Sequence, residues 1–203
     1  MLKVENVNVI YDGITIVKDI SFELSPSETL CLTGKSGSGK TTLLSVITGM
    51  KTPTSGKVTL DGKDIRKYRD LRKNRIAYVP TSFGLLPSLT VYENLSIVNN
   101  NPFCSISYED NDRIINLLEE LEIKDCMCKY PEFLSSGEYK RVSVARALCS
   151  KASYIIFDEP TSNLDNRSAN IIADKILNIN DKGVIIATHD KRLMKGNIMC
   201  LER

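Results

Sequence analysis

The nonapeptide Gly34-Lys35-Ser36-Gly37-Ser38-Gly39-Lys40-Thr41-Thr42 decides the fold of this chain. It matches the pattern G-x-x-x-x-G-K-[ST], follows the apolar run Leu30–Thr33 and precedes the helical run Leu43–Ile47. A glycine-rich turn at a helix N-terminus wraps its backbone N–H groups around phosphate oxygens. We therefore predict that all nine residues bind a nucleotide, with Lys40 on the β- and γ-phosphates and the Thr41 hydroxyl on Mg²⁺. The alternative is a glycine-rich turn with an incidental lysine, and the flanking strand and helix argue against it.

A second apolar run ends in two carboxylates. Tyr154–Phe157 is followed directly by Asp158 and Glu159. Because α/β sheets bind ligands at the carboxyl ends of their parallel strands, this pair is expected beside the phosphate loop. Asp158 is predicted to hold Mg²⁺, and Glu159 to orient and polarise the attacking water as a general base. Many strands end in an acid, so the prediction depends on the combination with the loop.

Strand and helix patterns alternate along most of the chain and predict an α/β fold with a mostly parallel sheet, the core of a P-loop NTPase. Asp12-Gly13 between two early strands predicts a hairpin, and so an antiparallel flap at the N-terminus. Residues 82–137 lack buried-strand runs and are predicted to form an inserted helical lobe. The chain is thus interpreted as one domain, 1–203, with a core of 1–81 and 138–203. The runs predicted as strands are Val7–Ile10, Ile20–Leu24, Leu30–Thr33, Val58–Leu60, Ile76–Val79, Tyr154–Phe157, Val184–Thr188 and Ile198–Leu201, and helices are predicted around Ile114–Leu121, Ser136–Leu148 and Asn166–Leu177.

Composition excludes several classes of protein. A net charge of +2 over 203 residues predicts no polyanion binder, so no nucleic-acid partner is expected. The sequence shows neither a membrane-spanning apolar run nor a signal peptide, which predicts a cytosolic chain unless another protein holds it at a membrane. Among the six cysteines, Cys126-x-Cys128 is a weak candidate for a metal or redox pair, and small apolar fillers or surface thiols are the favoured interpretation.

Several short motifs resemble, in order, those of the ATP-binding-cassette (ABC) ATPases. Leu134-Ser135-Ser136-Gly137-Glu138 resembles the family signature LSGGQ, with Ser at the third position and Glu at the fifth. Tyr11 resembles the aromatic residue that stacks on adenine, Ser162-Asn163-Leu164-Asp165 the D-loop, and His189 the switch histidine. The resemblance covers nearly the whole chain.

The resemblance implies a mechanism and a set of site residues. Ser135 and Gly137 would face the γ-phosphate of ATP bound to a second copy of the chain, so that ATP joins a head-to-tail dimer. His189 would act with Glu159 and Lys40 in catalysis, with ATP and Mg²⁺ bound. Simpler interpretations remain open: Ser135 and Glu138 fit a helix capping box, His189 a structural histidine, and Tyr11 a packed aromatic.

One position departs from the family pattern. After Val79-Pro80 the family has a glutamine that reaches Mg²⁺ and the attacking water, and this chain has Thr81. The shorter side chain predicts a weaker metal contact or an altered coupling to the partner.

The segment Phe83–Leu95 resembles bacterial ATPases that serve lipoprotein-releasing or antimicrobial-peptide-export permeases. The resemblance implies an ATPase subunit on the inner face of the cell membrane that powers a separate permease for peptide, lipoprotein or small-molecule export. Phe83, Leu85, Leu86 and Leu89 are the expected apolar anchors for the permease. The alternatives are an ABC ATPase with no role in transport and a regulatory cassette with weak hydrolysis.

Overall fold

The computed structural model describes residues 1–68, 70, 74–82, 84–98 and 108–201. Its strands and helices are, in chain order, β1 (Leu2–Tyr11), β2 (Ile14–Leu24), β3 (Thr29–Thr33), α1 (Lys40–Ile47), β4 (Ser55–Leu60), β5 (Lys63–Asp64), β6 (Ile76–Val79), α2 (Val91–Ser96), α3 (Tyr108–Glu120), α4 (Ser136–Cys149), β7 (Tyr154–Asp158), α5 (Asn166–Leu177), β8 (Gly183–Ala187) and β9 (Asn197–Cys200). Short 3₁₀ turns lie at Lys124–Cys126, Pro131–Phe133 and Lys191–Leu193.

The chain divides into two compact units. The first comprises Met1–Tyr78, Ala152–Glu159 and Leu177–Arg203, and the second Val79–Lys151 and Pro160–Ile176. Helix α4 and most of α5 pack within the second unit, whereas the sequence pattern groups them with the strands. The boundaries at residues 82 and 137, which the sequence pattern indicates, differ from this division into units and stay a prediction.

The first unit contains two sheets. The N-terminal sheet has the order β2-β1-β4-β5, and each of its neighbouring strand pairs is antiparallel. Its first hairpin turns at Asp12 and Gly13, both with positive φ (48° and 76°), which is the backbone of a tight hairpin turn. The predicted antiparallel flap is thereby confirmed.

The second sheet has the order β6-β7-β8-β3-β9, with parallel pairing from β7 through β8 and β3 to β9. Every residue of β7 and β8 is buried, as expected for central strands that carry continuous apolar runs. The carboxyl ends of β3, β7 and β8 consequently lie at one edge of the sheet. The predicted α/β class with a mostly parallel sheet is confirmed.

The second unit is built from helices around its own apolar core. Ile114, Leu117, Leu118 and Leu121, the face predicted from the i, i+3, i+4, i+7 pattern, are all buried in that core. Helix α2, which the sequence pattern did not separate from its surroundings, starts at a capping box formed by Thr90 and Glu93. The loop break predicted at Asn99–Pro102 lies outside the described residues. None of the helices in the described part of the chain has the length and apolar character needed to cross a bilayer.

Tyr154, at the start of β7, joins the two sheets of the first unit. Its side chain is fully buried, and its hydroxyl accepts a hydrogen bond from the Leu2 N–H (3.0 Å) and donates one to the Leu24 carbonyl (3.2 Å). Leu2 opens β1 and Leu24 closes β2, so a single phenol satisfies two buried backbone groups of the flap.

Substitution Tyr154→Phe is expected to lower the free energy of unfolding by about 1–3 kcal/mol, because it leaves both backbone groups buried and unpaired. Urea denaturation checks this value. Tyr130→Phe removes a hydroxyl from an exposed ring and is the control, with an expected change within about 0.5 kcal/mol. Equal effects for the two variants would contradict the proposed link between the sheets.

Candidate active site

The phosphate loop runs from the end of β3 to the start of α1 and depends on its glycines. Gly39 has a φ of 93°, and a Cβ built there would lie 2.6 Å from the Ile16 carbonyl oxygen. At Gly34, with a φ of 142°, a Cβ would lie 2.6 Å from both the Leu201 carbonyl oxygen and Ser38 Oγ. Only glycine fits this backbone at both positions. The loop is therefore held tightly between β2 and the end of β9.

The start of α1 is suited to an anion. Gly39 is its N-cap residue and provides no side-chain hydrogen bond, and the first turn carries no acidic residue. The backbone N–H groups of the first turn and the positive end of the helix dipole thus face the space that the loop surrounds. Lys40 is buried, and its ammonium donates to the carbonyls of Gly34 (2.8 Å) and Lys35 (3.2 Å). The lysine charge is fixed inside the loop, as the predicted phosphate contact requires.

Beside the loop lies a cavity of about 250 Å³. It is lined by Ser38 of the loop, by Cys200 and Leu201, and by four residues of β2: Ile16, Val17, Lys18 and Ile20. The Ser38 hydroxyl oxygen is buried and has no hydrogen-bond partner among the described residues. Such an orphaned hydroxyl in a polar loop fits a site that takes a polar ligand.

Asp158 closes β7 and is almost fully buried. Its Oδ2 accepts a hydrogen bond from the Tyr78 hydroxyl (3.3 Å), while Oδ1 is buried without a partner among the described residues. Burial, together with the charge of Asp158, raises the pKa of Tyr78, so the phenol stays a donor. An unpartnered buried carboxylate oxygen fits a cation ligand, and the predicted role of Asp158 in holding Mg²⁺ rests on this fit.

Thr41, the other predicted metal ligand, lies exposed in the first turn of α1. Within the described residues there is no cluster of three or more His, Cys, Asp or Glu side chains placed to hold a metal ion. One carboxylate and one hydroxyl match the habit of Mg²⁺, which is usually held by one or two protein groups together with substrate phosphates.

Glu159 stands at the centre of the predicted catalytic group. Its N–H donates to the Ala187 carbonyl (2.8 Å), and its φ of 49° lies in the left-handed region, which costs about 1–2 kcal/mol for a residue with a Cβ. Its Oε2 lies 2.9 Å from His189 Nδ1, and its Oε1 lies 3.9 Å from Lys40 Nζ. Strain at a carboxylate held between an imidazole and the Lys40 ammonium is typical of a working site.

Tyr11 ends β1, and its ring is 42% exposed, so packing in a core does not account for it. Lys51 Nζ lies 5.2 Å from the ring centroid, within cation–π range. Stacking on adenine stays a prediction for this residue.

The signature motif begins α4 in the second unit. Ser135 is the N-cap residue, and both hydrogen bonds of a capping box with Glu138 are present: Ser135 N–H to Glu138 Oε2 (2.7 Å) and Glu138 N–H to Ser135 Oγ (3.3 Å). At Gly137 a Cβ would lie 2.9 Å from Ser168 Oγ, so a side chain there would crowd α5. The helix-cap interpretation of Ser135 and Glu138 is confirmed, and it leaves the predicted role of Ser135 and Gly137 towards ATP open.

Glu138 has further partners that the sequence does not indicate. Its Oε1 accepts a hydrogen bond from the Cys126 thiol (2.9 Å) and lies 3.4 Å from Lys129 Nζ. The Cys126 bond, followed by the bonds from Ser135, lowers the pKa of Glu138 to about 2. Burial and the same bond raise the pKa of the Cys126 thiol, which indicates a structural cysteine.

The structure brings Lys40, Asp158, Glu159 and His189 together in the first unit and places Ser135 and Gly137 in the second. Sequence reasoning missed Tyr78 and Cys126. Tyr78 gave no signal, because the sequence does not show that its strand, β6, lies next to β7. The contact of Cys126 with Glu138 gave no signal either, because the two residues are 12 positions apart and the 3₁₀ turn Pro131–Phe133 lies between them.

A Glu138→Gln variant is expected to be less stable than the parent at pH 7. A folded pKa below the ordinary 4.5 means that the carboxylate stabilises the fold fully above about pH 4.5 and loses this effect as the pH falls towards 2. Urea unfolding at several pH values should show the two proteins converge in this window. Glu132→Gln, at an exposed position, is the control, expected to stay within about 0.5 kcal/mol of the parent. A difference independent of pH would contradict the role of the charge.

Known proteins resemble the chain over almost its whole length. A profile of the family described as ABC transporter matches residues 17–162. The lipoprotein-releasing system ATP-binding protein LolD of Buchnera aphidicola subsp. Acyrthosiphon pisum is 37% identical, over 96% of this chain and 90% of the relative. LolD of Aquifex aeolicus is 35% identical, over 100% of this chain and 93% of the relative.

Solved structures agree with this result. The dimeric bacterial ABC transporter cassette MJ0796 is 29% identical and superposes with a TM-score of 0.87, over 99% of this chain and 94% of that one. A post-hydrolysis state of the same cassette, bound to ADP and Pi, superposes with a TM-score of 0.86. The chain belongs to the ABC transporter family, as one of its ATP-binding and ATP-hydrolysing cassettes.

Proposed function

We propose that this cassette binds Mg-ATP at Gly34–Thr42, hydrolyses it as a head-to-tail dimer of two copies, and drives a separate permease that exports a lipoprotein or peptide. It works at the cytoplasmic face of the membrane, where the permease holds it. The class of cargo is proposed from the LolD relatives, which are named for lipoprotein release.

The geometry around Glu159 carries the proposal. One carboxylate oxygen is oriented by His189 Nδ1 at 2.9 Å, and the other lies 3.9 Å from the lysine of the phosphate loop. A base in this position meets a water beside the γ-phosphate, accepts its proton and orients it for attack. His189 holds the carboxylate in place, and Lys40 stabilises charge on the phosphates.

Asp158 Oδ1 and the Thr41 hydroxyl are the groups proposed to hold Mg²⁺. Bound there, the ion would neutralise charge on the phosphate oxygens during transfer. Tyr78 fixes the Asp158 carboxylate through Oδ2 and so orients Oδ1.

The proposed dimer uses the start of α4. With 14 residues, α4 has a substantial dipole, and its first turn presents the backbone N–H groups of Ser136 and Gly137, while those of Ser135 and Glu138 are used in the capping box. Ser135 and Gly137 of one copy would meet the γ-phosphate bound to the other. The dimeric form of the related cassette MJ0796 supports this arrangement.

The proposed permease surface centres on Leu86, whose side chain is 43% exposed. Leu85 is buried and therefore does not serve as an anchor, and Phe83 lies outside the described residues. Asn94, fully buried, holds the loop by accepting from the Leu86 N–H and donating to the carbonyls of Leu86, Leu89 and Thr90. An apolar side chain on a rigid loop suits a short permease helix.

A regulatory cassette with weak hydrolysis is the second candidate, and Thr81 is the observation that favours it. A threonine does not reach as far as the family glutamine towards metal and water. The rate of phosphate release by the purified parent protein decides between the two candidates.

A Glu159→Gln variant is expected to bind ATP and to lose on the order of 10²- to 10⁴-fold in turnover, because its amide does not accept the proton of the attacking water. Phosphate release measures the loss, and size-exclusion chromatography with Mg-ATP should show a persistent dimer. Glu109→Gln, on the exposed start of α3, is the matched control and should hydrolyse ATP like the parent. Turnover of Glu159→Gln at the parental rate would remove this residue from the mechanism.

A Leu86→Asp variant is expected to hydrolyse ATP normally as an isolated protein and to lose co-purification with a membrane permease from detergent-solubilised membranes. On docking, the aspartate would be buried against the apolar face of the permease helix with no partner for its charge. Tyr108→Asp introduces the same charge at another exposed position of the second unit, and this control should co-purify with the permease at the parental level. Retention of the permease by Leu86→Asp would place docking elsewhere.

A further inference from the structure

Lys140, in the second turn of α4, holds the backbone of Thr81. The lysine side chain is buried, with 7% of the residue exposed, and its ammonium donates to the Thr81 carbonyl at 2.5 Å. A buried charge is stable only where it is compensated, so this bond resists breakage. The carbonyl of Thr81 is thereby fixed to α4.

Tyr139, the residue before Lys140, holds the other end of the same segment. Its hydroxyl oxygen accepts hydrogen bonds from the N–H groups of Gly84 and Leu85, each at 3.0 Å. A phenol oxygen in this position satisfies two backbone donors at once. Three hydrogen bonds made by two consecutive residues thus bind the backbone of Thr81, Gly84 and Leu85 to α4.

These two residues lie directly behind the signature. The N–H of Tyr139 donates to the Ser135 carbonyl at 2.8 Å, so Tyr139 sits one helical turn after the N-cap. The segment that they hold leads into the loop that Asn94 fixes and that exposes Leu86. Ser135 and Leu86, both in the second unit, are therefore connected by an unbroken chain of hydrogen bonds and helix backbone.

We infer that Tyr139 and Lys140 are positioning residues that make the start of α4 move as one piece with Thr81 and with residues 84–90. A change at Ser135, caused by ATP on the second copy, is thereby passed to the permease surface at Leu86. The inference rests on the proposed function, since the coupling begins with ATP bound between two copies and ends at the surface that contacts the permease.

The bond from Lys140 holds position 81 through its main-chain carbonyl, whatever side chain the position carries. A threonine side chain has few rotamers, so the position of its hydroxyl depends on the position of its own backbone. The Lys140 bond fixes this backbone at the carbonyl. A change caused by ATP at Ser135 then reaches the permease surface through α4, without a long amide side chain at position 81.

Hydrogen exchange measured by mass spectrometry tests this coupling in the full chain carrying Glu159→Gln, with and without Mg-ATP. In this background ATP is expected to slow exchange on the order of tenfold in both the peptide that starts at Ser135 and the peptide 84–90. Adding Tyr139→Phe and Lys140→Met should leave the first effect intact and reduce the second to about twofold or less. Each single substitution should lose part of the second effect, which keeps the test valid if the double variant folds poorly.

Two controls separate positioning from general stability. Tyr92→Phe removes another hydroxyl of the second unit, one that donates to Asn111 at 2.6 Å, and should leave both ATP effects unchanged. Lys140→Arg retains a cationic donor and should restore the slowing at 84–90. Equal slowing of 84–90 with and without the Tyr139 and Lys140 substitutions would overturn the inference. Absence of ATP-dependent slowing in both peptides of the Glu159→Gln background would overturn the proposed dimer and the inference with it.

Discussion

The close packing of the phosphate loop against β2 and the end of β9 is the constraint on which the site depends. Gly39 lies against the Ile16 carbonyl and Gly34 against the Leu201 carbonyl, at distances that no Cβ tolerates. This packing fixes the start of α1, and with it the ammonium of Lys40. The parallel sheet then places Glu159 within reach of that charge and His189 beside Glu159. A loop displaced by a side chain at either glycine would move the Lys40 ammonium away from Glu159.

The strained backbone of Glu159 belongs to the same arrangement. A left-handed φ at the last carboxylate of a strand is unfavourable on its own, and the bond from its N–H to the Ala187 carbonyl helps to hold it. The turn directs the Glu159 side chain towards His189, while Asp158 remains buried beside Tyr78. Two adjacent acids thus take different surroundings, one suited to a cation and the other to a water molecule.

In the second unit, two departures from the family pattern are matched by local partners. The glutamate at the fifth signature position closes a capping box and accepts from Cys126, so its charge is stabilised where the family has a neutral amide. The threonine at position 81 is held by Lys140 through its backbone. In both cases the substituted residue is held by hydrogen bonds with neighbours in the second unit. The departures are therefore compatible with a working cassette.

The sequence by itself determined the phosphate loop, the acidic end of β7, the hairpin flap and the buried face of α3. Each of these depends on residues close together in the chain, where glycine geometry and apolar periodicity act locally. Tertiary structure alone decided which distant groups meet: Tyr78 with Asp158, Cys126 with Glu138, and Lys140 with Thr81. Hydrogen bonds across 80, 12 and 59 residues leave no periodic trace in a single sequence. They form only after the strands and helices have packed, because a polar group takes whichever partner the surrounding core places beside it.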